Sequence, residues 1–273
     1  MLKKVLATFG HGGATVEVLP SAPEVTPGET ISGQVLLLGG QVDQELGSLS
    51  VDLVTEVHMG ENSSADPSED PTVTLPFTKV EVGSRRLIQP GESIMLPFEL
   101  TMPWETPITI SRTGFLSGMA VGIRAEADLN MTFVDAVAIA PIVVTPLPSQ
   151  QRILDAMTNI GFVPKAADME YNSLRGVEQQ LPFIQEIEYE PPTEFSENLH
   201  DVELTFVARA HDLQVVLEVD KRVRVSKGED ITARGETTMG DFVLLHEEID
   251  EIDWEDRLQA WLTNVARTPA ILG

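Results

Sequence analysis

LIQPGESIMLPFELTMP, residues 87–103, is the stretch from which the fold is read. Pro90 presets φ for the second position of a turn and Gly91 supplies the positive φ that a type II turn requires at its third. Gln89-Pro90-Gly91-Glu92 therefore reverses the chain. A strand follows, with Ile94, Leu96, Phe98 and Leu100 on one face and Ser93, Met95, Pro97 and Glu99 on the other, the period of two of a strand covering a core on one side. Pro97 cannot donate to a ladder, which predicts an edge strand or a non-paired position. The phrase returns as Pro27-Gly28-Glu29-Thr30-Ile31, followed by Ile31, Gly33, Val35 and Leu37 on one face, and without its proline as Lys227-Gly228-Glu229-Asp230-Ile231. Three turn-plus-strand phrases of one kind point to a chain built from sandwich-like units.

Outward from these phrases the alternation continues. Residues 15–19 read as a first strand, after a short N-terminal helix and the Gly10-His11-Gly12-Gly13 joint. Gly39-Gly40 ends the next strand, and Leu49, Val51, Leu53, Thr55 and Val57 mark one of the clearest. Residues 60–71 are a polar loop. Strands are expected over 73–82, 119–129, where Arg124 finds acidic cross-strand neighbours, and 133–144. Thr145-Pro146-Leu147-Pro148 is a stiff linker and domain boundary. Ser149 then caps a helix with Ile153, Leu154, Met157 and Ile160 on one face, ended by Gly161 at the left-handed C′ position. After a strand at 183–189, Val202, Leu204, Phe206 and Ala208 form a hairpin with Leu213, Val215, Leu217 and Val219. A last helix, with Asp253 as N-cap and Asp256 at N3, carries Trp254, Leu258, Trp261 and Leu262 as apolar anchors. The fold class is all-β with a few peripheral helices, divided as 1–145, 146–240 and an acidic segment with amphipathic helix at 241–273.

Composition limits the functions. The 273 residues carry no cysteine, so disulfides, thiolate metal sites and a cysteine nucleophile are absent, which fits a reducing cytoplasm. No apolar run is long enough for a transmembrane segment. The net charge of −25, from 43 acids and 18 bases, argues against nucleic acid and anionic lipid and favours a protein partner with a basic surface. An organism-wide acidic bias accounts for the same charge. His11, His58, His200, His211 and His246 lack metal-ligand spacing and read as single surface histidines. No nucleophile elbow or phosphate-cradling loop is present, and the reading is of a chain that is not an enzyme, with no cofactor, no metal and no catalytic residue. An unrecognised hydrolase is the weaker alternative, and a homo-oligomer assembled through terminal helices or strand edges is another.

Two charge clusters stand out in the second half. Lys221, Arg222, Arg224 and Lys227 are basic; Glu247, Glu248, Asp250, Glu251 and Asp253 lie in a run from 241 to 256 without one base. They read either as a latch, acids lying on the basic strand until a basic partner competes, or as two separate solvated faces.

Lys3-Lys4-Val5-Leu6-Ala7, Pro27-Gly28-Glu29, Ser32-Gly33-Gln34-Val35, Gly39-Gly40, Val42-Asp43-Gln44-Glu45, Pro90-Gly91-Glu92 and Pro97-Phe98-Glu99-Leu100 closely resemble the bacterial stage-zero sporulation-control protein M family. Beyond residue 145 the resemblance rests on Ile160-Gly161-Phe162 and Glu218-Val219-Asp220-Lys221-Arg222. It implies two arrestin-like (immunoglobulin-like) β-sandwiches in tandem. It also implies a regulatory adaptor that binds protein partners in control of sporulation or cell-cycle processes, with no catalytic residues to carry over.

Overall fold

A computed structural model describes residues 12–59, 72–130, 135–221 and 237–267. Both Pro-Gly phrases close as expected: Glu29 N–H donates to the Thr26 carbonyl (3.1 Å) and Glu92 N–H to that of Gln89 (3.0 Å), with φ +85° at Gly28 and +69° at Gly91. The glutamate of each phrase has a local role. Its side chain accepts the first residue's N–H, Thr26 N to Glu29 Oε2 at 3.1 Å and Gln89 N to Glu92 Oε2 at 2.9 Å, so each turn is closed twice. The third phrase lies outside the described residues.

The two glycines are not equivalent. A Cβ at Gly91 meets nothing within 4 Å, whereas one at Gly28 would lie 2.6 Å from the Trp104 ring. Gly91→Ala is expected to destabilise by about 1 kcal/mol, the strain of a positive φ alone, and Gly28→Ala by about 2–4 kcal/mol because the ring must also move. Urea unfolding midpoints at unchanged slope check the order.

The chain divides into two compact units, residues 1–109 with 119–145, and residues 110–118 with 146–273. In the first, β1 (Thr15–Pro20), β3 (Thr30–Leu38) and β7 (Ser93–Thr101) form one sheet in the order β1-β3-β7, which leaves Pro97 on an edge strand as its missing N–H demands. Gly33 pairs with Phe98, whose ring occupies the space over the glycine. The second sheet of this unit centres on β4 (Gln44–His58), flanked by β5 (Thr72–Gly83) and β6 (Arg86–Ile88) on one side. On the other side lie β10 (Val121–Asn130), β11 (Ala136–Val144) and the short β2 (Glu24–Val25). Val35, Leu37, Leu49, Leu53 and Ile123 are fully buried. Arg124 lies directly across from Asp52, and its Nη2 reaches Asp52 Oδ2 at 2.7 Å and Glu126 Oε2 at 3.3 Å. Alternation did predict acidic partners for Arg124; it did not predict that Asp52 is fully buried.

Residues 110–118 form a hairpin, β8 (Ile110–Ser111) with β9 (Gly114–Phe115), that belongs to the second unit. Arg112 pairs with Asp155 at 2.8 Å, and the Ser117 carbonyl accepts the Ala167 N–H at 2.7 Å. The second unit continues with α1 (Pro148–Asn159), β12 (Val163–Glu170), β13 (Ile184–Glu190), α2 (Thr193–Ser196), β14 (Leu199–Ala208), β15 (Asp212–Lys221) and β16 (Thr237–Leu245). A 3-10 helix (His246–Glu251) and α3 (Trp254–Arg267) close it. Strands β12 to β16 make one antiparallel sheet in chain order.

The start of α1 departs from expectation. Pro148, not Ser149, opens it: proline's fixed φ suits the first helical position, and Gln150 Oε1 accepts the Leu147 N–H at 2.9 Å. Its end follows expectation, with Gly161 at φ +96° and a paired closure, Phe162 N–H to Met157 O and Gly161 N–H to Thr158 O, both 3.0 Å. For α3, Asp253 Oδ1 accepts the Asp256 N–H at 3.0 Å, the cap the sequence predicts. No helix among the described residues is long and apolar enough to cross a membrane.

Candidate interaction surface

Alternation sorts the carboxylates of the second unit onto one sheet face. Glu186 and Glu188 of β13 turn away from buried Ile187 and Tyr189. Glu203 of β14 turns away from Val202 and Leu204, and Glu218 of β15 from Leu217 and Val219. Register then makes a row: Glu188, Glu203 and Glu218 lie directly opposite one another across β13, β14 and β15, with Met239 of β16 next. The adjacent row reads Asp168, Glu186, Thr205, Val216, Asp241. Like charges directly opposite on neighbouring strands destabilise a sheet, so this face works against its own fold.

Bases stand only at its margins among the described residues. Lys165 Nζ lies 3.0 Å from Asp201 Oδ1 and 3.5 Å from Glu188 Oε2. The Asp201 hydrogen bond, above all, raises the pKa of Lys165 beyond its ordinary value. Arg209 is engaged by Asp212 Oδ1 (2.6 Å), Gln214 Oε1 (3.0 Å) and the Glu178 carbonyl (2.8 Å). Glu186, Glu203 and Glu218 have no ion-pair or hydrogen-bond partner among the described residues. Burial, reinforced by Glu203, Asp168, Glu170 and Glu218, pushes the Glu186 carboxyl up to about 8. Burial, with Glu218, Asp220, Glu188 and Asp168, pushes Glu203 up to about 7. Glu218 rises from burial and then Asp220.

A carboxyl whose pKa is raised by folding favours the folded state when protonated, and that advantage is lost as pH rises through its folded value. The melting temperature should therefore fall by about 4–8 °C from about pH 6 to about pH 8.5, and the slope should flatten in Glu186→Gln/Glu203→Gln. Calorimetric melting across that range checks both.

Among the described residues the sheet ends in an open strand. Among the described residues β16 pairs with β15 and no other, and on the carboxylate face it exposes Met239 (49%), Asp241 and Val243 (59%). Gln214 Nε2 donates to both carboxylate oxygens of Asp241 at 2.9 Å. On the other face Trp261 covers Gly240 and meets Phe242 edge-on with centroids 6.0 Å apart, which docks α3.

Of the residues singled out by sequence, Trp254, Leu258 and Leu262 are fully buried anchors, while Trp261 is partly exposed. Lys221 closes β15, and Arg222, Arg224 and Lys227 lie outside the described residues. Glu247, Glu248, Asp250 and Glu251 are exposed on the 3-10 helix, and Asp253 caps α3. The β15–β16 ladder runs from Asp212 opposite Leu245 to Asp220 opposite Thr237, so the acidic run leaves one end and Lys221 sits at the other, roughly 27 Å apart. The described residues do not bring Lys221 and these acids together. Among the described residues the acid of this region that finds a base is Glu255, held by Arg152 (2.6 and 2.9 Å) and Asn159 (2.8 Å); these hydrogen bonds lower its carboxyl to about 2.

His246 is not a surface histidine. Its Nδ1 lies 2.8 Å from Ser149 Oγ and its Nε2 2.8 Å from the Arg209 carbonyl. The pair has the spacing of a nucleophile and base, but Ser149 is buried at 2% exposure and the imidazole's second partner is a carbonyl, so the contact ties α1 to the 3-10 helix. In the first unit a groove of about 460 Å³ runs between β2 and β3, lined by Ser21, Ala22, Glu24, Glu29, Thr30 and Ser32. No cluster of three or more metal-ligating side chains occurs among the described residues.

A family model described as SpoOM protein matches residues 2–223. The sporulation-control protein spo0M of Bacillus subtilis (strain 168) is 28% identical over 230 residues, 83% of this chain and 83% of that one. The crystal structure of Spo0M from Bacillus subtilis is similar with a TM-score of 0.74 and 24% identity, covering 93% of this chain and 99% of that chain, a likeness of fold. Strand-rich units with few helices, Pro-Gly-Glu turns doubly closed by their glutamates, and the family match over residues 2–223 lead to one conclusion: the chain belongs to the Spo0M family of sporulation-control proteins and has their arrestin-like fold.

Proposed function

We propose that this chain is a cytoplasmic regulatory adaptor, acting by binding a protein partner with a basic surface rather than by catalysis. The observation that carries the reading is the row Glu188, Glu203, Glu218, in which half-buried carboxylates face one another across three strands. Such a row costs the isolated fold stability, and a cationic partner removes that cost by supplying the counter-charge that Glu203 and Glu218 lack among the described residues. Membership of a sporulation-control family supports a regulatory role. The test replaces Val243 by a photo-crosslinking benzoylphenylalanine in cells that carry no other copy of the chain. A discrete adduct with a second protein is expected, and it should vanish in a folded Glu188→Gln/Glu203→Gln/Glu218→Gln variant. An adduct pattern identical in the two forms would sink the reading.

A further inference from the structure

Resting on that reading, we infer that β16 accepts an extended segment of the partner as an added strand carrying an apolar residue opposite Val243 and a lysine or arginine opposite both Asp241 and Met239. An open strand presents unpaired backbone N–H and C=O groups, and β-addition supplies affinity through the backbone and selectivity through alternate side chains. The exposed row on β16 sets that selectivity. Val243 offers an apolar contact and Asp241 a carboxylate. Met239 lies beside Glu218 across the ladder, so a long basic side chain lying along its thioether ends at Glu218 and, one strand further, Glu203.

The groups that face this site are Asp168 and Glu170 with Lys165 on β12, Glu186 and Glu188 on β13, Asp201 and Glu203 on β14, Glu218 and Asp220 on β15, and Asp241 on β16. A second copy of the chain is the poorer occupant, because two bodies of charge −25 repel and a symmetric pairing sets acids against acids. Charge thus selects a basic strand. Because burial and neighbouring acids push the Glu203 carboxyl up to about 7, an arriving cation displaces its proton, and binding near neutral pH releases it.

The probe is the palindromic peptide TVTRTRTVT, capped at both ends, which presents the same row in either direction; TVTRRTTVT keeps its charge but puts the arginines on opposite faces. Titration calorimetry of the whole chain should show the first binding at least tenfold more tightly. Asp241→Lys should remove that advantage, and Glu203→Gln/Glu218→Gln should abolish the proton release measured between two buffers of different ionisation enthalpy. Hydrogen exchange should show residues 238–245 protected by the peptide. Equal affinity of the two peptides, unprotected amides in β16, or a dimer of the free chain that Val243→Glu dissolves would each overturn strand addition. If the peptides fail but the position-243 adduct in cells persists, strand addition falls and the adaptor reading stands; if the adduct is absent as well, both fall.

Discussion

Replacing Arg124 by methionine should lower the melting temperature by about 6–12 °C, the largest effect expected of any single charge in this protein. Asp52 is fully buried, and Arg124 supplies Nε at 3.1 Å and Nη2 at 2.7 Å to one of its oxygens. The other oxygen, Oδ1, is buried without a partner among the described residues. Removing the guanidinium leaves a carboxylate in a low-dielectric interior with half of it already unsatisfied, and breaking such a pair costs about 3–5 kcal/mol. Partial exposure of Arg124 places the expected loss at the lower end of that range. Lys79 faces Asp52 from β5, so the full penalty is read in Arg124→Met/Lys79→Met. Asp52→Leu/Arg124→Met should recover most of the loss, since replacing both members leaves no buried charge. A double-mutant cycle by thermal unfolding measures the coupling. Equal stability of Arg124→Met and the double replacement would mean that Asp52 is not held by Arg124.

Trp254→Ala should be comparably damaging but local in its consequences. The indole is fully buried, its Nε1–H donates to the Ile249 carbonyl at 3.0 Å, and Arg257 lies over its ring at 5.2 Å and over Phe242 at 5.3 Å. Truncating a buried aromatic of this size costs about 3–5 kcal/mol, and here it also orphans a carbonyl. That cost should release α3 from β16, so exchange protection is lost first over residues 254–267 and residues 238–245 follow, while the first unit keeps its protection. Trp254→Phe, which restores the packing but not the hydrogen bond, should recover more than half of the stability. Loss of protection spread evenly through both units would show that α3 is not separately docked.

Much of this fold was legible along the chain because the interactions that dictate it are local. A proline and a glycine in succession admit few backbone conformations, so the turns at Thr26–Glu29 and Gln89–Glu92 follow from four residues each. Alternation assigns Ile94, Phe98 and Leu100 to a core without knowledge of what they meet. Even part of the carboxylate row was within reach: a hairpin that sets Ala208 against Leu213 necessarily sets Glu203 against Glu218.

What lay beyond the sequence is whatever depends on partners distant along it. Glu188 meets Glu203 only because β13 and β14, separated by α2, pair in one register of several that alternation allows. The burial that lifts Glu186 and Glu203, the full enclosure of Asp52, the engagement of His246 by Ser149 and the choice of Arg152 as the partner of Glu255 all arise from residues brought together by tertiary packing. The sequence alone determined the strands, the turns and the sign of the charge, since these need only neighbours a few residues apart. Tertiary structure decided which carboxylates face one another and which strand is left open among the described residues, because desolvation and register are properties of the assembled sheet.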